Sequence, residues 1–126
     1  MSEDNVEIVR RFVFSVFSDR ESMEEAHPDI VWSPVEASPS QGHDALRATL
    51  ARWESSWDDY EWTSEEFLDV GDRVVATVHF RGRGRGSGIE TEARFYEVYT
   101  VRDGKIVRMD EYTEREEALE AAGLSE

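Results

Sequence analysis

The sequence predicts an α+β fold, a curved antiparallel sheet wrapped as a cone around N-terminal helices. Three observations carry that expectation. Apolar residues recur at helical spacing over residues 3–17 and 43–58, and from Tyr60 onward the period changes to two. The stretch Ile89–Thr113, IETEARFYEVYTVRDGKIVRMDEYT, reads as two long strands joined by a tight turn at Arg102-Asp103-Gly104-Lys105. Long antiparallel strands that follow helices bury their apolar face by curling around them, which leaves a conical cavity.

Residues 3–17 form the first expected helix. Ser2 suits its N-cap, Glu3 and Asp4 suit the positive end of its dipole, and Val6, Val9, Val13, Val16 and Phe17 share one face. Phe12 widens that stripe, whereas Phe14 falls away from it toward a second contact surface. A short helix is expected at Ser22–Ala26, broken by His27-Pro28. Asp29–Ser33 reads as a strand stopped by Pro34, and the Ser-, Pro- and Gly-rich Glu36–Gly42 as a loop, either a lid or a connector.

The next helix is expected over His43–Asp58, with Leu46, Leu50, Trp53 and Trp57 on one face and Arg47, Arg52 and Glu54 solvated. Glu61–Val70 and Val74–Arg81 follow as strands around a turn at Gly71-Asp72-Arg73. In the second of these, Val74, Ala76, Val78 and Phe80 form one face, and Val75, Thr77, His79 and Arg81 the other. His79 is therefore expected on the outer face. The run Arg81-Gly82-Arg83-Gly84-Arg85-Gly86-Ser87-Gly88 has strands on both sides, so a twisted hairpin end explains it better than a dinucleotide loop, which needs a following helix. Thr113 with Glu116 predicts a capping box for a last helix over Glu114–Ala122, with Gly123 as its C′ residue.

Composition narrows the function. The 126 residues suit a single domain, and with 39% hydrophobic and 11% aromatic residues a core can form. Fourteen basic against 29 acidic residues give a net charge of −15, which repels phosphate backbones and anionic lipid. Neither nucleic acid nor membrane is expected as a partner. The absence of cysteine excludes disulfides and thiolate chemistry. The acidic N-terminus lacks a signal-peptide pattern, and no apolar run approaches the roughly 20 residues that span a bilayer, so a cytoplasmic location is expected. The three histidines show no ligand spacing, so neither a metal nor another cofactor is expected.

The candidate chemistry lies in the hairpin. Alternation places Glu97 and Glu111 among apolar neighbours, Glu111 on the face of Val107 and Met109. Asp110 and Glu111 are adjacent, so one of them faces out in either register. The expected cavity wall comprises Phe12, Val16, Ser33, Trp53, Trp57, Phe80, Phe95, Val107 and Met109. Burial and mutual repulsion would keep one acid protonated as donor and leave the other as base, which suits proton abstraction beside a carbonyl. Pairing of Glu97 with Arg94, Arg108 or His43 is the structural alternative.

The element order, with Asp103-Gly104-Lys105-Ile106-Val107 and Asp69-Val70-Gly71-Asp72-Arg73-Val74-Val75, resembles the nuclear transport factor 2-like superfamily and its α+β barrel. Within it the chain is similar to the SnoaL-like group, relatives of polyketide cyclases and ketosteroid isomerases. The resemblance implies that Glu97 matches the isomerases' oxyanion-hole acid. Ser33 stands at the position of their general base and Phe12 at that of their tyrosine donor, so steroid isomerase activity is not expected. By the same resemblance Glu111 matches the cyclases' acid–base aspartate. Phe95 occupies the place of the arginine that the epoxide-hydrolase branch needs. A homodimer through the outer sheet face is implied, with Thr77, His79, Arg94, Tyr96 and Tyr112 as candidates, and Tyr99 and Trp32 as further candidates for that face. The leading expectation is a protein that binds a small apolar carbonyl compound in the cone, with cofactor-free cyclase or isomerase chemistry. The alternative is a non-catalytic ligand-binding or dimerisation module.

Overall fold

The computed structural model describes residues 2–16, 23–35 and 38–124, and only the backbone of residues 2–4. Its elements run α1 (Ser2–Val16), β1 (Ala26–Ser33), β2 (Ser40–Gln41), α2 (His43–Glu54), β3 (Trp57–Val70), β4 (Arg73–Gly84), β5 (Glu90–Arg102), β6 (Lys105–Tyr112) and α3 (Arg115–Ala121). The strands form one curved, unclosed sheet in the order β2-β1-β6-β5-β4-β3. All neighbours are antiparallel except β1 and β6, which run parallel.

The concave face carries the core. Helix α1 lays Val9, Phe12, Val13 and Val16 against it, and α2 adds Leu46 and Leu50. The sheet answers with Ile30 and Trp32 from β1, Val74 and Ala76 from β4, Tyr99 and Val101 from β5, and Ile106 and Met109 from β6. The fully buried Val, Leu, Ile, Phe and Met side chains among these each contribute about 1.5–3 kcal/mol through removal of apolar surface from water. The convex face is covered in part by Ala118 of α3 and Ala122 at its C-cap, which pack on Val75 and Val98, with Leu68, Val70, Tyr96 and Tyr112 alongside. Phe14 points away from the core and is 75% exposed.

Several local expectations change. The Ser2 cap, Phe17 and Ser22 fall outside the described side chains and residues. Over Met23–Ala26 the expected short helix gives way to a turn at Glu24 and Glu25, and β1 already begins at Ala26. Pro28 is tolerated inside β1 because the ladder to β6 is irregular between Ala26 and Val31, where no N–H is required of it. Ser40 and Gln41, in the expected loop, pair with β1 as β2, while Glu36 and Ala37 lie outside the described residues.

Helix α2 stops at Glu54 instead of Asp58. The Ser55 hydroxyl donates to the Arg52 carbonyl at 2.6 Å, and Trp57 then enters β3 opposite Gly84. Strand β4 continues past Arg81 to Gly84, so the first half of the Arg-Gly run is strand. The β5–β6 turn places Asp103 and Gly104 at φ 51° and 78°, the left-handed pair that a two-residue hairpin requires. Glu114, not Thr113, is the N-cap of α3, and no side chain bonds there, so the capping box is not formed. Its C-terminus closes with the Gly123 N–H on the Glu120 carbonyl and the Leu124 N–H on that of Leu119, the paired bonds of a Schellman motif.

Candidate functional site: an acid pair in an aromatic cavity

Alternation along β5 turns Phe95, Glu97 and Tyr99 to the concave face. The β5–β6 register sets Glu111 directly opposite Glu97. Cross-strand partners hold their Cβ atoms about 5 Å apart, so the two carboxyl groups meet, and they share a side-chain hydrogen bond. Tyr99, two residues along the same face, donates its hydroxyl to Glu97 Oε1 at 2.7 Å. The Val35 N–H, just beyond β1, donates to Glu111 Oε1 at 3.2 Å. The acid pair is thus fastened by β5, β6 and the chain that leaves β1.

Glu97 is 6% exposed. Burial first, and the charge on Glu111 second, push its carboxyl up to about 8, against the lowering effect of the Tyr99 hydroxyl. The Tyr99 phenol is raised well above its ordinary value, mainly by burial and then by the charge on Glu97. At neutral pH Glu97 therefore holds a proton that it can offer to Glu111. Asp110, the alternative inward acid, is engaged by Arg108 Nε at 2.9 Å. The structural partners expected for Glu97 are committed elsewhere: Arg94 to Glu65, Arg108 to Asp110, and His43 to the Ala26 carbonyl.

The pair faces a cavity of about 380 Å³, walled by Trp32, Pro34 and Val35 on the β1 side, by Thr49, Leu50, Arg52 and Trp53 of α2, and by Ser56, Trp57, Trp62 and Phe95. All four tryptophans of the chain line this one space. Trp53 lies 5.7 Å from Trp57 and 5.1 Å from Trp62, and Trp62 lies 6.0 Å from Phe95, centroid to centroid. Phe80 supports the stack from below, 4.8 Å from both Trp53 and Trp57. Gly82 permits this packing, because a Cβ there would come within 2.5 Å of the Phe80 ring and 2.9 Å of Trp57.

Of the wall expected from sequence, Trp53, Trp57 and Phe95 line the cavity. Trp57 reaches it from β3, not from the helix face assigned to it. Phe12, Val16, Phe80 and Met109 are packed in the protein interior instead. Ser33 opens onto a separate depression of about 230 Å³, with Asp110, Tyr112 and Glu117, that shares Pro34, Val35 and Glu111 with the main cavity. Val107 is displaced because the ladder shifts between Thr100 and Val101. Ile106 pairs with Val101 and Arg108 with Thr100, so Val107 is the extra residue and Ile106 takes the core position.

Sequence reasoning missed Trp32, Trp62, Tyr99 and the Pro34–Val35 edge. Parity could have found the aromatic residues. Tyr99 shares the face of Glu97, Trp32 that of Ile30, and Trp62 that of Tyr60. Of the outer-face candidates, Tyr96 and Tyr112 do pack on the α3 side, whereas Tyr99 and Trp32 face inward. His79 meets Glu92 at 2.7 Å. Among the described residues no group of His, Asp and Glu is disposed to hold a metal ion, and no helix is long and apolar enough to cross a membrane.

The cone of helices and bent sheet defines the nuclear transport factor 2-like class. A family model of the SnoaL-like domain matches residues 20–109, and the chain belongs to that family. Solved structures agree in fold. A protein from Jannaschia sp. CCS1, described as SnoaL-like polyketide cyclase-related, is 21% identical with a TM-score of 0.81, over 90% of this chain and 87% of its own. An NTF2-like protein of Burkholderia xenovorans LB400 is 27% identical with a TM-score of 0.77, over 97% of each chain. TerC, crystallised with polyporic acid, is 23% identical with a TM-score of 0.75, over 95% of this chain and 98% of its own. No curated protein sequence matches the chain.

Proposed function

We propose that this protein binds a small, largely apolar carbonyl compound in the tryptophan-lined cavity. Glu97 and Glu111 then transfer a proton, as in a cofactor-free cyclase or isomerase. The observation that supports this most is the register-paired, hydrogen-bonded acid pair, one member buried and protonated at neutral pH, at the wall of an aromatic space. In this reading Glu111 is the base that removes a proton beside the carbonyl, and Glu97 is the neutral acid that hydrogen-bonds the oxygen as charge develops on it. Phe12, sealed in the core, supplies no hydroxyl, and Tyr99 supports Glu97 from its own strand. TerC, a neighbour in fold, was co-crystallised with polyporic acid, which supports a small organic molecule as the ligand class.

The test is ligand capture by native mass spectrometry, followed by binding and turnover of the captured class between pH 5 and 9. Wild type, Glu97→Gln and Glu111→Gln are compared. Glu111→Gln is expected to retain binding and lose turnover, and Glu97→Gln to lose the pH dependence near 8. Turnover unchanged in both variants would sink the acid–base reading. The second reading, binding without chemistry, is favoured by the bonds from Tyr99 and Val35, which hold both acids on protein partners. Intact binding with no turnover in wild type would establish it. We further propose a homodimer through the convex face around Thr77, His79, Arg94, Tyr96 and Tyr112, to be read as twice 14.5 kDa in the same spectra.

A further inference from the structure

Among the described residues one cation, Arg52, lines the cavity. Arg52, in the last turn of α2, lines the same space as the acid pair and is exposed. In a chain of net charge −15 an arginine has acids to choose from, and others on this surface take them. Arg47 on the same helix meets Asp44 at 3.0 Å, and Arg85 meets Asp58 at 3.4 Å. Glu54, two residues on from Arg52, is engaged by the Tyr60 hydroxyl. Among the described residues the Arg52 guanidinium makes no ion pair or side-chain hydrogen bond. It is a fixed fork of donors, matched to carboxylate or enolate oxygens, at the edge of a flat aromatic enclosure.

We propose that Arg52 makes this cavity selective for flat aromatic ligands that carry a negative charge. The ring system lies among Trp53, Trp57 and Trp62, and the anionic group meets Arg52. A neutral carbonyl or hydroxyl is left to face Glu97 and Glu111. An acid pair alone would repel an anion. A cation on the opposing helix therefore sets both which ligands enter and which end reaches the acids. This rests on the binding reading given above and adds a charge and an orientation to it. A cavity of about 380 Å³ falls in the range, roughly 300–1,000 Å³, that takes small organic ligands.

The ring of tryptophans provides the readout, since a ligand stacked among them quenches their emission. Three probes of one shape are titrated at pH 7: 2-naphthoate, 2-naphthamide and 2-naphthylmethylammonium. The anion is expected to bind about fivefold tighter than the amide, the worth of a partly exposed ion pair, and the cation weakest. Arg52→Gln should remove the preference and Arg52→Lys keep most of it. Arg47→Gln, an equal change in net charge outside the cavity, should leave it intact. If Arg52 serves only the negative end of the α2 dipole, the Gln variant loses stability while the ranking of the probes stays as in wild type. That result overturns the proposal, as does tightest binding of the cation. Quenching by none of the three would overturn the binding reading as well, whereas equal quenching by all would overturn the selectivity alone.

Discussion

Glu97 is an acid whose protonated form belongs to the folded state. Its carboxyl is raised from 4.5 to about 8, so between those values the native protein binds a proton that the unfolded chain has released. Stability is then highest below the unfolded value and falls as pH rises through 8. Thermal denaturation at pH 5 and pH 8.5 should show wild type losing more midpoint temperature over that interval than Glu97→Gln, which has no proton to lose. Tyr99→Phe removes a hydroxyl that lowers the Glu97 value, so the carboxyl should titrate still higher in an NMR titration. The same variant should cost about 1 kcal/mol in urea unfolding, the ordinary net worth of a hydrogen bond. The inward parity of Glu97 was legible in the alternation of β5. The orientation of Glu111 was not, because Asp110 and Glu111 could exchange faces. The Val107 bulge that fixes their register leaves no mark in the residues themselves.

At the scale of the element, the strand and helix periods were legible and their junctions were not. Trp53 and Trp57 stand four residues apart, so helical spacing reads straight through the Ser55–Ser56 break. Only the backward bond of Ser55 and the pairing of Trp57 with Gly84 assign that tryptophan to β3. The Arg-Gly run shows a similar limit, for its glycines read as hairpin punctuation while one of them serves the aromatic stack. Gly82→Ala would drive a methyl group into Phe80 and Trp57. We expect it to cost about 1–3 kcal/mol, as overpacking does, and to shift the tryptophan emission maximum while Gly86→Ser leaves that spectrum unchanged.

For the whole molecule, the charge of −15 opposes compaction more than its scattered ion pairs favour it, since exposed pairs contribute roughly 0–1 kcal/mol each. Raising sodium chloride from low to moderate concentration should therefore raise the unfolding temperature, read by scanning fluorimetry. A falling temperature would mean that the surface pairs outweigh the repulsion. The class of fold followed from helices succeeded by long strands. The parallel seam between β1 and β6 did not, because it joins segments whose local patterns say nothing of one another.

That seam bears on the order in which the chain can assemble. The meander β3 to β6 pairs near neighbours in sequence and can zip from its turns, whereas β1 must wait for the last strand to exist. The Val35–Glu111 bond spans 76 residues, so it closes one of the longest loops in the fold and does so late. During synthesis the first strand leaves the ribosome well before its partner, and the cavity lacks Glu111 and its bond to Val35 until β6 follows. A ligand can therefore hold shut only a finished protein, and its binding should slow unfolding far more than it speeds folding.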